Sequence, residues 1–334
     1  MKNLLEVEDL TIKLVIEGEH RTVLHDVNLT LGEGETVGMV GESGSGKSMT
    51  ARAIAQLLPP GARTTGRIRF DGASVLDLRG TALRKYRRND VAMVFQDARS
   101  AINPVRSIGD FLTEIMRIAD GVKPSAANAK AVQLLAEVGI EDGERRLKQY
   151  PHELSGGLLQ RVMIAATVAA RPRLILADEP TTALDVTTQA EVMAILADLR
   201  AEYGMAMLFI THDLELASAV CDETVVMYAG TVMEKAPSKH LHAQPLHPYT
   251  AALMKARPEI THTAARLEAI SGSPTTAYEA PEGCAFAPRC GFAQPECSSP
   301  VQLITIDGAA TACRRSSEVR DLLLTSGPTQ EVVR

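Results

Sequence analysis

Three apolar runs predict a mixed α/β fold for this 334-residue chain: Thr36 to Val40, leading into a glycine-rich loop; Arg173 to Pro180, closing on two acids; and LFITHD, ending at His212 and Asp213. Short apolar runs bounded by turn residues read as buried strands. Composition agrees, since 45% apolar and 23% charged residues suit a globular protein of about two domains with a substantial core. The net charge of −6, with both signs interspersed, argues against a protein built to neutralise nucleic-acid phosphates. The basic run RKYRR, Arg84 to Arg88, reads as a solvated helix face. The start, MKNLLEVEDL, has no signal-peptide core, and no uncharged stretch reaches the ~18 residues that span a bilayer. The chain is therefore expected in the cytosol, where thiols stay reduced.

The first strand leads into GESGSGKS, Gly41 to Ser48, which fits the P-loop pattern G-x-x-x-x-G-K-[ST] in its proper strand-to-helix context. Gly41, Gly44 and Gly46 free the backbone, so that successive N–H groups through Glu42, Ser43 and Ser45 can turn inward around phosphate oxygens. Lys47 is placed to reach the β- and γ-phosphates. Ser48 offers a hydroxyl to Mg²⁺, and the helix starting there points its positive dipole end at the anion. In the second strand, Asp178 is placed to hold Mg²⁺ through its water shell. Glu179 is placed to orient and deprotonate an attacking water. Two acids at a strand end can be ordinary surface residues, but beside a P-loop they favour hydrolysis over binding alone.

Between these strands stands LSGGLLQR, Leu154 to Arg161. With this element in place, nearly the whole chain resembles the ATP-binding cassette (ABC) family. The resemblance implies a P-loop cassette with a mixed-sheet core, an antiparallel β subdomain and a helical signature subdomain, binding ATP and Mg²⁺. It implies that Ser155, Gly156 and Gly157 cap the γ-phosphate of ATP held by the P-loop of a second cassette. VFQDARSAINP supplies Gln96, which resembles the glutamine that contacts Mg²⁺ and the attacking water. TTALDVTTQ supplies Asp185, in a loop that makes contacts across the cassette dimer, and His212 resembles the switch histidine that hydrogen-bonds the γ-phosphate. Two departures stand out. Leu158 and Leu159 follow the signature where the family has Gln, Met or Arg, and LVIEGEHRTVLHDVNL lacks the family's adenine-stacking aromatic. His20 or Arg21 could stack instead, weak base recognition is the alternative, and the stacking residue stays unassigned.

After Gln96, Ile108, Phe111, Leu112, Ile115 and Met116 recur at helical spacing on one face. A second helix, AANAKAVQLLAEVGI, is expected to stop near Gly139. The expected domains are a nucleotide-binding domain over 1–240, with a helical subdomain at about 99–160, and an accessory domain over 241–334. In the family the helical subdomain receives a coupling helix from a membrane partner; core packing is the default use of its apolar face. Beyond about Ser316 the tail shows little pattern.

HAQPLHPYTAALMKARP, His242 to Pro258, and QDARSAINP resemble the ATPases of oligopeptide, dipeptide and nickel permeases. The resemblance implies a peripheral ATPase on the cytoplasmic face of the membrane. Its implied partners are a second, related ATPase in a heterodimer, two transmembrane subunits and an extracytoplasmic substrate-binding protein, with no nucleic acid. Peptides are the default cargo, with nickel or opine-type substrates open. A soluble ABC ATPase of DNA repair or translation is the alternative class, against which stand one P-loop, one signature and no sustained heptads.

Four of the chain's five cysteines, Cys284, Cys290, Cys297 and Cys313, fall in the C-terminal region with spacing C-x5-C-x6-C-x15-C. By count they satisfy a [4Fe–4S] cluster or tetrahedral Zn²⁺, and free or disulfide-bonded thiols remain a third reading. Some members of the resembled subfamily carry a cluster here. Zinc sites favour tight C-x₂₋₄-C pairs, which are absent, and wide loops rich in Pro, Gly and Ala suit a larger body. Cys221 reads as a packed core thiol.

Overall fold

Strands β1 (Asn3–Ile16) and β2 (Glu19–Gly32) form an antiparallel ribbon turned at Glu17 and Gly18, both in the left-handed region that a tight hairpin needs. The computed structural model describes residues 2–118, 120–182, 184–256 and 270–325, and every statement below concerns these. They form two compact units, one from Met1–Asp77 and Phe209–Arg334, the other from Leu78–Leu208. In the first unit, β3 (Thr36–Val40) is buried along its whole length, as an uninterrupted apolar run requires when both sheet faces are covered. β4 (Arg63–Phe70) and β5 (Ala73–Ser74) extend the ribbon into an antiparallel sheet of order β2-β1-β4-β5.

The second unit is mainly helical around two parallel strands, β6 (Val91–Val94) and β7 (Leu174–Asp178), registered from Val91 opposite Leu174 to Val94 opposite Ala177. Its long helices are Ile108–Ile118, Pro124–Glu137, Gly156–Val168 and Val186–Tyr203. Pro124 opens its helix at a position where a missing N–H costs nothing, and Gly139, at φ 69°, follows the end as expected. The stripe on Ile108–Ile118 is only half core: Ile108 and Leu112 are buried, whereas Ile115 is 55% exposed. The basic run is less uniform than a solvated face, because Tyr86 is buried within it and Arg88 pairs with Asp120.

Strand β8 (Ala206–Thr211) carries the chain out of this unit, and β9 (Glu223–Tyr228) pairs parallel with β3. β10 (Thr231–Pro237) runs antiparallel to β9, so this sheet is mixed. The hairpin of β11 (Ile304–Ile306) and β12 (Ala309–Thr311) turns on Asp307-Gly308 and adds to β10, giving the order β11-β12-β10-β9-β3. Residues far beyond the last nucleotide motif thus extend the sheet that carries the P-loop. Ten residues of the tail also form an element that its sequence does not suggest. Ser316–Thr325 is a helix whose Val319 and Leu323 pack on Ala251, with Phe292 and Cys313 at the edge. A stripe of two apolar residues at i, i+4 is too short to register as a pattern. Among the described residues no helix is long and apolar enough to cross a membrane.

Glu234 of β10 is fully buried and accepts the amides of Leu246 and His247, both at 2.8 Å. Burial pushes its carboxyl up to about 7 against an ordinary value of 4.5. A raised folded-state value means stability that is present below the unfolded value and lost as pH rises through the folded one. Between pH 4.5 and 8, wild-type stability relative to Glu234→Gln should fall by about 3 kcal/mol, read from denaturant unfolding at several pH values. A pH-independent difference would refute the assignment.

Candidate functional site

The P-loop leaves β3 at Gly41, where an added Cβ would lie 2.1 Å from the Met227 carbonyl oxygen, so only glycine fits. Gly46 caps the helix Lys47–Ile54 at φ 104°, with Leu24 2.4 Å from where a Cβ would sit. Lys47 is buried, and its Nζ turns into the loop, donating to the carbonyls of Gly41 (2.7 Å) and Glu42 (2.9 Å) and to Ser45 Oγ at 3.4 Å. The Ser45 carbonyl accepts the Gly230 amide at 3.0 Å. Ser43 and Gly44 are exposed and Ser48 is half-buried, so the loop's outer face is open to a ligand. Glu42 is held twice. Its amide donates to Tyr249 Oη at 3.0 Å, and its carboxylate accepts from Arg289 at 2.7 and 3.3 Å. Neither partner is legible as a site residue in the sequence, because 207 and 247 positions separate them from Glu42.

In the same unit, His212 is exposed just past the end of β8. Asp213 beside it caps the next helix, Leu214–Val220, through the Leu216 amide at 3.0 Å. Arg21 does not point freely outward: it pairs with Glu17 at 2.7 Å, and its guanidinium lies over the Tyr278 ring at 5.1 Å.

The second unit brings together two of the residues expected for hydrolysis, Gln96 and Glu179. The parallel register of β6 and β7 sets Gln96, two residues past β6, beside the acids that end β7. Gln96 Nε2 donates to Glu179 Oε2 at 3.0 Å, and Thr182 Oγ1 donates to the same oxygen at 2.9 Å. Asp178 is buried, while Glu179 sits at φ 46°, a left-handed conformation that a side-chain-bearing residue adopts only when its surroundings impose it.

Ser155 caps the helix Gly156–Val168, its Oγ accepting the Leu158 amide at 3.3 Å. Leu159 is fully buried, so the departure from the family pattern at that position is a core contact. Asp185 caps Val186–Tyr203 in the same way, accepting from the Thr188 amide (3.0 Å) and hydroxyl (2.8 Å), and these bonds hold its carboxyl below the usual range. Gly157 lies so close that a Cβ would meet Thr188 Cγ2 at 2.5 Å. The two helix starts are therefore packed on each other.

All five cysteines are free thiols, and Cys221 is buried as expected. Cys284, Cys290, Cys297 and Cys313 line one pocket with His247, Phe292 and Val301. Burial pushes the thiols of Cys290 and Cys313 up to about 11 and 12 and that of Cys284 upward, and the neighbouring cysteines add to each shift. His247, held down at about 3 by burial, accepts the Tyr249 amide at Nδ1 (3.0 Å), which leaves Nε2, 3.8 Å from Cys284 Sγ, as its N–H donor. Among the described residues no set of three or more Cys, His, Asp or Glu side chains is arranged to hold a single metal ion.

Gly157→Ala should destabilise the protein by about 1–3 kcal/mol through overpacking. Thr188→Ser deletes the offending methyl and keeps the hydroxyl on Asp185, so the double variant should recover most of the loss in denaturant unfolding. Equal stability of Gly157→Ala and wild type would show that the helix starts are not in close contact.

Comparison with known proteins bears on the whole chain. The family model for "ABC transporter" matches residues 24–182, and that for "Oligopeptide/dipeptide transporter, C-terminal region" matches residues 233–297. The oligopeptide transport ATP-binding protein OppD of Haemophilus influenzae is 40% identical over 319 residues, covering 95% of this chain and 99% of its own. A putative peptide import ATP-binding protein of Brucella abortus is 43% identical over 312 residues, 93% of this chain and 94% of its own. Among solved structures, MJ0796, a bacterial ABC transporter cassette determined as a dimer, is similar with a TM-score of 0.63 at 30% identity, over 70% of this chain and 98% of that one.

Proposed function

The chain belongs to the oligopeptide/dipeptide branch of the ABC transporter family and is an ATPase subunit of a peptide importer; on that premise we propose how its residues divide the work. The observation that carries the reading is the Glu179 carboxylate, fixed by Gln96 and Thr182 at the end of β7. Glu179 accepts a proton from the attacking water as its oxygen bonds to the γ-phosphorus and the bond to the ADP oxygen breaks. Gln96 orients that carboxylate and the water. The P-loop, Gly41 to Ser48, binds the phosphates through its amides and Lys47, and His212 hydrogen-bonds the γ-phosphate. Mg²⁺ when bound neutralises charge on the phosphates. Ser48, Asp178 and Gln96 are the residues to hold it, and a hydroxyl, a carboxylate and an amide oxygen form the hard donor set that this ion prefers.

Ser155, Gly156, Gly157 and Asp185 serve a second cassette in trans, and the exposure of Ser155 and Gly156 at a helix start supports that use. The partners are two transmembrane permease subunits, a second related ATPase and an extracytoplasmic binding protein, which places the chain at the cytoplasmic face of the inner membrane. Co-purification with membrane subunits expressed from the chain's own operon tests this. Persistent absence of any membrane partner would return the soluble reading.

Glu179→Gln should retain nucleotide binding and lose about a hundredfold or more in turnover in the assembled transporter. Near-normal hydrolysis would remove Glu179 from the role.

The region 241–334 acts as an accessory element, and its four thiols ligate a [4Fe–4S] cluster. Four cysteines lining one pocket support the reading, and their thiolates would be the ligands that hold such a cluster. Anaerobically purified full-length protein should be brown with about four irons per chain. Cys290→Ser should lower that content, whereas a colourless preparation with stoichiometric zinc would overturn the assignment.

A further inference from the structure

We propose that Arg289, together with Tyr249, is a positioning residue for nucleotide binding: from the cysteine-bearing segment it holds Glu42, the second residue of the P-loop, by side chain and by backbone. The inference rests on the reading of that loop as the ATP site.

The Arg289 side chain is 4% exposed, and all five N–H donors of its guanidinium have an acceptor. Nε donates to the Ser271 carbonyl at 2.8 Å. Nη1 donates to Glu42 Oε2 (2.7 Å) and Tyr228 Oη (3.2 Å), and Nη2 to Glu42 Oε1 (3.3 Å) and the Ile270 carbonyl (3.4 Å). Its Cζ lies over the rings of Tyr228 and Phe286, 5.7 and 5.9 Å from their centroids. Such a fork cannot be replaced by an ammonium with three tetrahedral donors. The main-chain handle is equally fixed. Tyr249 is fully buried, its ring 4.8 Å from Tyr228 and 5.1 Å from Phe286, and its hydroxyl accepts the Glu42 amide.

The arrangement answers a problem that the loop sets itself. A loop that binds a polyanion gains nothing from a carboxylate at its second position, since like charge opposes the ligand. Here that charge is paired with a buried cation reaching in from a distant part of the chain. Preorganised amides bind phosphate better than amides that must first be ordered, and holding Glu42 at two points removes part of that ordering cost.

The short turn Ala287–Arg289 runs directly into Cys290, and His247, two residues before Tyr249, faces Cys284 Sγ at 3.8 Å. Both holds on Glu42 are thus anchored at the rim of the thiol pocket.

The test is equilibrium binding of MgATP to the purified full-length chain, by calorimetry. Arg289→Met should raise the dissociation constant about tenfold or more by leaving the Glu42 charge beside the phosphates, and in the assembled transporter KM should rise far more than kcat falls. Adding Glu42→Gln to Arg289→Met should recover most of the affinity, which a merely structural arginine would not predict. Wild-type affinity in Arg289→Met, or a double variant as weak as the single one, overturns the proposal. Should Arg289→Met fail to fold, Tyr249→Phe decides: it removes one acceptor from a buried ring and should weaken binding about threefold, with unchanged affinity counting against the proposal. Failure of the wild-type chain to bind MgATP would instead sink the parent reading of the loop.

Discussion

The close approach between the P-loop backbone and the turn that joins β9 to β10 is the constraint on which the nucleotide half of the molecule depends. Parallel pairing sets Val40 opposite Val226, so the chain leaves β3 with Gly41 pressed against the Met227 carbonyl. Ala229 and Gly230 then turn in the left-handed region, and Gly230 gives its amide to Ser45 and its carbonyl to His25 of β2. A Cβ on Gly230 would meet the Val23 carbonyl at 2.5 Å. Three stretches distant in sequence are locked through one turn, and none of the close contacts tolerates a side chain. Ligand-facing amides need such rigidity, because a phosphate cradle that reorganised on binding would forfeit affinity to its own ordering.

The hydrolytic half follows the same rule in its own unit. There the parallel register of β6 on β7 decides everything, since a slip of one residue would turn Gln96 to the opposite face and away from Glu179. Glu179 itself takes a left-handed backbone, and the Thr182 bond fixes its carboxylate there. The signature residues and Asp185 add a further pairing, with two helix starts packed so closely that Gly157 has no room for a methyl. Ser155 and Asp185 each satisfy their own helix's leading amides, which leaves those starts stable without the second cassette they are proposed to serve.

Local spacing made the motif residues legible. P-loop, acidic strand, signature and the histidine after the third strand are each short patterns formed by neighbours in sequence, and the strands lie within two residues of where the apolar runs set them. What stayed hidden depends on distance along the chain. Nothing about Glu42 announces Arg289, and nothing about PYT announces that Tyr249 accepts a loop amide. Patterns also mislead when a face is only partly used. Ile115 keeps its helical spacing yet stays exposed, because periodicity records which residues are apolar and not what covers them. The helix Ser316–Thr325 shows the converse, with two buried residues sufficing once Ala251 and Phe292 are there to receive them.

The C-terminal cysteines look remote from catalysis while only the sequence is considered, since Cys284 lies more than a hundred positions from Glu179. Packing removes that remoteness for the nucleotide loop. β12 pairs with β10, which pairs with β9, which pairs with β3, so the hairpin before Cys313 belongs to the sheet from which the P-loop springs. Tyr228, at the end of β9, packs on Tyr249 and Phe286, and its hydroxyl accepts from Arg289. The segment is docked by a buried aromatic cluster and a guanidinium whose donors all have acceptors, and close-packed interiors transmit displacement. The wall of the thiol pocket and the P-loop are therefore joined through Tyr228, Tyr249 and Arg289 by packing and hydrogen bonds.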